Sequence, residues 1–140
     1  MPSSIARLVA GGAVEIAPFF NLVLARNRGA AFSFLAEASG WQRELFIGVA
    51  LAAAVWIIYL LRRHANDRLF CAALSLILGG AIGNLVDRLS LAYVVDFIHM
   101  FWGDNHWPRY NVADVGITVG VCVLVLVTGF RKDDRKSAAA

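Results

Sequence analysis

Three uncharged apolar stretches decide what this chain can fold into. Residues 45–61 read LFIGVALAAAVWIIYLL, residues 69–86 read LFCAALSLILGGAIGNLV, and residues 115–130 read VGITVGVCVLVLVTGF. Each approaches the ~20 residues that cross a ~30 Å hydrocarbon core. A soluble helix of this length normally shows a polar stripe, and these show none. Composition agrees, with 59% hydrophobic and 16% charged residues, against about 45–50% and about 25% in soluble domains. The expected fold is a mainly α membrane protein. It forms a single multi-pass domain over residues 1–140, with three transmembrane helices.

The loops orient the spans. The connector RRHANDR (62–68) carries three arginines, and RKDDRK (131–136) carries four basic residues. Both should face the cytoplasm, leaving 87–110 on the opposite side. Residues 1–44 then lie outside as well. Within them, FFNLVLARN (19–27) reads as a β-like stretch after Pro18, and Gly29 stands where a turn or close approach is wanted. The start MPSSIARLVAGGAVEIA lacks the basic head and apolar core of a signal peptide. Export of 1–44 therefore calls for a helix ahead of this chain or for a weaker route of insertion. Residues 131–140 read as a small, disordered cytoplasmic tail.

Several function classes fall away. The formal charge is only +3, and no Lys/Arg block occupies a polar helix face, so nucleic acid is not an expected partner. Cys71 and Cys122 lie inside apolar runs and read as buried thiols. His64, His99 and His106 make no ligand spacing on one helix, so neither a metal nor another cofactor is expected. There is no GxSxG and no Cys/His pair for covalent catalysis. Gly79-xxx-Gly83 and Gly116-xxx-Gly120 read as helix-packing seams. Trp102, Trp107 and Tyr110 read as anchors at one interface, with Trp56 and Tyr59 near the other.

Against this background two carboxylates are out of place. Asp96 sits inside YVVDFI, and Asp114 opens the third apolar run. Asn84, Asp87 and Arg88 fall at i, i+3 and i+4 on one helix face, and Asn111 and Asp114 at i and i+3. Polar residues at membrane depth face the protein interior or a wet cavity and mark function. Two aspartates in one damp apolar site would share a proton. The ionised member could take a proton from water, and the protonated one could polarise a carbonyl and later supply a leaving amine. That is water-mediated peptide hydrolysis without metal or covalent intermediate. A small transport subunit whose aspartates carry protons or ions is the alternative from another class.

The motifs NRGAAFSFL (27–35), GGAIGNLVDR (79–88), VVDF (94–97) and YNVADVGITVG (110–120) together resemble the bacterial lipoprotein signal peptidases, the type II signal peptidases. The resemblance covers roughly residues 17–130. It implies an intramembrane aspartic protease of the bacterial inner membrane, with Asp96 and Asp114 as the catalytic dyad at the extracytoplasmic face. It also implies that Asn27, Gly29, Asn84, Asp87, Arg88 and Asn111 shape the substrate cleft. The family cuts just before a diacylglyceryl-modified cysteine, so lipid-modified prolipoproteins, membrane lipids and globomycin-type inhibitors are the implied partners. The family usually has a small residue where Arg28 stands and Phe where Tyr110 stands. Its first helix, with a DQxTK-like motif, has no match in residues 1–16, and the chain is expected to begin after it. An inactive, truncated homologue that binds lipidated peptides is the second reading within this family.

Overall fold

The computed structural model describes residues 3–29 and 41–138, with 132–138 described by backbone alone. In chain order the elements are α1 (Ser4–Val9), β1 (Val14–Ala17), β2 (Phe20–Asn27), α2 (Trp41–Arg63), α3 (Arg68–Leu91), β3 (Val94–Trp102), β4 (Asn105–His106) and α4 (Val112–Ala138). Most of the NRGAAFSFL motif lies outside the described residues. Among them, three helices are long and apolar enough to cross a membrane: Trp41–Arg63, Arg68–Leu91 and Val112–Arg131, with mean hydropathies of 2.3, 2.1 and 2.2. Val55, Trp56, Val125 and Phe130 are each more than 60% exposed. Such a surface suits lipid rather than water.

The helices outrun the apolar stretches that announce them. α2 begins ahead of the first apolar run at Trp41 and takes in both Arg62 and Arg63. α4 continues beyond Arg131 to Ala138, where a disordered tail was expected. Charge ends an apolar run, but Arg and Lys are good helix formers, so it need not end the helix. Glu44 in the first turn of α2 and Arg62 and Arg63 in its last turn also complement the helix dipole.

The chain forms two compact units, one of Met1–Ile47 with Val86–Asn111, the other of Gly48–Leu85 with Val112–Ala140. The first is built on an antiparallel sheet in the order β1-β2-β3-β4. The β-like stretch expected at 19–27 is β2, paired with β1 across a tight turn that brings Ala17 opposite Phe20. The segment after α3 is also a strand, β3, rather than a loop. β3 meets β4 across a two-residue turn, with Trp102 opposite Asn105 and Gly103 at φ 58°. Only a residue that tolerates positive φ fits that position cheaply. A second backbone feature comes just after α3, where Ala92 takes φ 65° and its N–H donates to the carbonyl of Arg88. This is the left-handed ending common to helices, here without a glycine.

In the second unit α3 and α4 meet through small residues. A Cβ on Gly80 would come within 2.6 Å of Ile117 Cγ1, and one on Gly120 within 2.7 Å of the Ala73 carbonyl and Ile77 Cγ1. Ala73 and Leu74 are buried beside this seam. Gly79, expected in the seam, has open space where its Cβ would be. The helical period turns it away while Gly80 faces α4. At the other end of these helices both Asp67 oxygens accept from the Arg131 guanidinium, joining the α2–α3 connector to α4. Of the two cysteines expected to be buried, Cys71 is half-buried and Cys122 exposed. Cys122 belongs to the apolar exterior of a spanning helix.

The seam gives a direct expectation. Gly80→Leu and Gly120→Leu should each destabilise the folded protein by about 1–3 kcal/mol through overpacking. Gly79→Leu should change little. Unfolding midpoints in mild detergent would check the contrast.

Candidate functional site

Asp96 is placed by strand alternation. In β3, Val94 and Asp96 are buried on one face, with Asp96 only 2% exposed. The register with β2 carries a bulge: Leu22 pairs with Ile98 and Ala25 with Asp96, three residues of β2 matching two of β3. A bulge of this kind re-aims the side chains beyond it. Past it, Asn27 pairs with Val94, which leaves Asn27 and Asp96 on one face and diagonal to each other. The Asn27 amide Nδ2 reaches the carboxylate and donates to Oδ2 at 2.9 Å.

Gly29 fixes which way that amide points. Its backbone N–H donates to Asn27 Oδ1 at 2.8 Å, so the NH2 is the end turned to Asp96. Gly29 has φ 103°, and a Cβ there would lie 2.5 Å from Phe46 Cε2. Both conformation and space therefore require glycine.

Asn111 closes the other side, donating from Nδ2 to Asp96 Oδ1 at 2.9 Å. It is only 5% exposed. Its position comes from the residue before it: Tyr110 bridges Ile98, with N–H donations in both directions at 2.8 and 3.1 Å. The sequence spacing had put Asn111 and Asp114 on one helix face. Instead Asn111 immediately precedes α4, whose first residue is Val112, and its side chain turns to the sheet. A buried carboxylate costs several kcal/mol unless it is hydrogen-bonded, and bonds to a charged group return about 1.5–3 kcal/mol each.

Asp87 and Arg88 support the same unit. Asp87 Oδ2 accepts from the Val95 backbone N–H at 3.0 Å, beside Asp96 itself. The Arg88 carbonyl accepts from Arg43 Nε at 3.1 Å, and the Arg88 guanidinium lies 5.1 Å above the Phe46 ring. That ring is the one that confines Gly29.

Asp96 also lines a cleft of ≈ 740 Å³, with Ala25, Arg26, Asn27, His99, Trp107 and Arg109 among its walls. His106 lines it too, its Nδ1 3.2 Å from His99 Nε2 and the two rings stacked. Partial desolvation, then its neighbours His106 and Arg109, hold His99 below the ordinary histidine pKa. Sequence spacing missed this pair, because strand pairing rather than helical period joins residues seven apart. Among the described residues no group of three or more His, Cys, Asp or Glu could hold a metal.

In the second unit, Asn84 Nδ2 donates to Asp114 Oδ1 at 2.8 Å. Asn84 is 9% exposed on α3, and Asp114 lies in the first turn of α4, where the helix dipole favours a carboxylate. The Asp114 carbonyl accepts from Thr118 Oγ1 one turn on. Each aspartate is thus held by at least one asparagine amide. A carboxylate held this way can exchange protons with water or substrate without changing position.

Known proteins share this chain's pattern. The family model described as "Signal peptidase (SPase) II" matches residues 4–130. The lipoprotein signal peptidase of Paraburkholderia phymatum is 57% identical over 115 residues, 82% of this chain and 69% of that protein. That of Ralstonia nicotianae is 56% identical over 116 residues, 83% of this chain and 67% of that protein. A bacterial membrane enzyme structure determined in meso at 2.3 Å resolution superposes with a TM-score of 0.78 and 29% identity, covering 89% of this chain and 74% of that one.

The support around β3 is open to test. Asp87→Ala leaves the Val95 N–H without its acceptor and should destabilise the protein by about 1–3 kcal/mol. Asp87→Asn keeps an acceptor oxygen and should lose less. Thermal unfolding of both variants in detergent would show the order.

Proposed function

The chain belongs to the signal peptidase II family, and we propose that it removes the signal peptide from prolipoproteins carrying a diacylglyceryl cysteine, with Asp96 and Asp114 acting as one water-activating pair. The observation that carries the proposal is the burial of Asp96 with an amide donor on each carboxylate oxygen. A carboxylate in so dry and ordered a place is costly to keep unless it is used. Asn111, which holds Asp96, stands three residues before Asp114 in the chain. Asn84 holds Asp114 in turn.

The chemistry follows from two carboxyl groups that share a proton. One takes a proton from water as the water oxygen bonds to the scissile carbonyl carbon. The other donates a hydrogen bond to the carbonyl oxygen as negative charge develops there. The tetrahedral intermediate then collapses, the C–N bond breaks, and a proton passes to the leaving amine of the modified cysteine. Neither metal nor covalent acyl-enzyme enters. Asn27, Gly29, Asn84 and Asn111 keep the carboxyl groups in place, while Asp87 braces the strand that carries Asp96 and Arg88 contacts the start of α2. The cleft beside Asp96 offers room for a peptide segment, and globomycin-type peptides would compete for it.

The spans run out-to-in, in-to-out and out-to-in across the bacterial inner membrane. The basic connector and tail are then cytoplasmic, and 1–44 and 87–110 are outside with the active site. Substrates exported as far as their lipid-modified cysteine would meet the aspartates there.

Conversion of a purified diacylglyceryl-prolipoprotein by Asp96→Asn and Asp114→Asn tests the pair. Each variant should still insert in the membrane yet cleave at least about 100-fold more slowly, the scale of a lost acid–base catalyst. Near-normal cleavage by either would remove that residue from the mechanism.

A further inference from the structure

We propose that one anionic phospholipid binds in the second unit. Its phosphate would sit at the α2–α3 connector, and one acyl chain would lie along α2. The connector and α4 at Arg131 form an open pocket of ≈ 600 Å³ lined by Arg63, His64, Asn66, Arg68 and Arg131, together with Asp67 and Leu69. Three guanidinium groups face one carboxylate, and that carboxylate is already spent. Both Asp67 oxygens accept from Arg131, and this bonding holds Asp67 below the ordinary carboxylate pKa. Arg131 keeps half its side chain exposed despite the pair. The pocket is therefore cationic, with guanidinium forks suited to phosphate oxygens.

A second feature identifies the ligand as a lipid rather than a free anion. Leu51, Ala52, Val55, Trp56 and Tyr59 line an apolar groove of ≈ 570 Å³ on α2. These positions recur at helical spacing, and the next turn of the same face is Arg63. The groove and the pocket join at a hydrogen bond, Arg63 Nη1 donating to the Tyr59 hydroxyl at 2.7 Å. Trp56 and Tyr59 lie beside it with their rings tilted against each other, centroids 5.6 Å apart. A shallow apolar groove on a spanning helix that ends in a basic pocket matches an acyl chain joined to a phosphate. Basic pockets at the ends of transmembrane helices hold anionic headgroups in this way. The site involves neither Asp96 nor Asp114, so it stands independently of the peptidase reading.

The test uses the whole purified protein in neutral detergent. Phosphatidylglycerol, phosphatidylcholine of the same acyl chains, and inorganic phosphate are added separately. Native mass spectrometry and unfolding midpoints are read for each. Phosphatidylglycerol should be retained at one per chain and raise the midpoint, while the other two should do neither. Arg63→Gln with Arg68→Gln should weaken its retention at least about tenfold, from the lost headgroup attraction. Ala52→Phe should weaken it by blocking the groove without touching charge. Equal effects of phosphatidylglycerol and phosphatidylcholine would overturn the proposal. So would an equal effect of inorganic phosphate, or full retention in both variants. Should the double variant fail to fold, the wild-type comparison and Ala52→Phe still decide the matter.

Discussion

A carboxylate buried in a small sheet sets the terms for the first unit. Asp96 is almost wholly out of water, and its charge has to be met by fixed donors. Asn27 reaches it only because a bulge in β2 re-aims the strand. Gly29 orients Asn27 only because its backbone can take a positive φ under the Phe46 ring. Asn111 reaches it only because Tyr110 is tied to Ile98. The bulge, the glycine, the bridge and the Asp87 bond to Val95 are separate devices with one effect, which is to hold a single side chain still.

The second unit answers to a different solvent. Its helices expose apolar side chains because lipid gives them no reason to be buried, so their association rests on close backbone approach. Gly80 and Gly120 allow that approach, and the part-buried Asn84–Asp114 bond adds a directional contact. The same helices end in charged residues, where the Asp67–Arg131 pair joins connector to helix end. Polar groups are sparse along these spans, and Asn84, Asp114, Thr118 and Thr128 each have a specific partner among the described residues.

Much of this was legible in the sequence. Three uncharged runs announced α2, α3 and α4, and FFNLVLARN announced β2. Asp96 and Asp114 stood out as carboxylates with apolar neighbours. Asn84 was legible for the same reason, being polar within a run that otherwise excluded polarity. What could not be read depended on pairing across the chain. VVDFIHMFW looked like an apolar loop because its strand partner lies some 70 residues earlier. The His99–His106 contact and the Tyr110 bridge arise from that same pairing. Helical periodicity gave the seam and Gly83, Gly116 and Gly120 within it, but named Gly79 where Gly80 faces α4, a one-residue shift of about 100°. It also put Asn111 on a helix that begins one residue later.

The most direct measurement places the purified protein in proteoliposomes with two substrates: a prolipoprotein whose cysteine carries diacylglyceryl, and the same chain unmodified. Product masses are then read. The expected result is loss of the signal peptide from the modified substrate alone, with the new N-terminus at the lipidated cysteine. An intact modified substrate, or equal cutting of both chains, would contradict it.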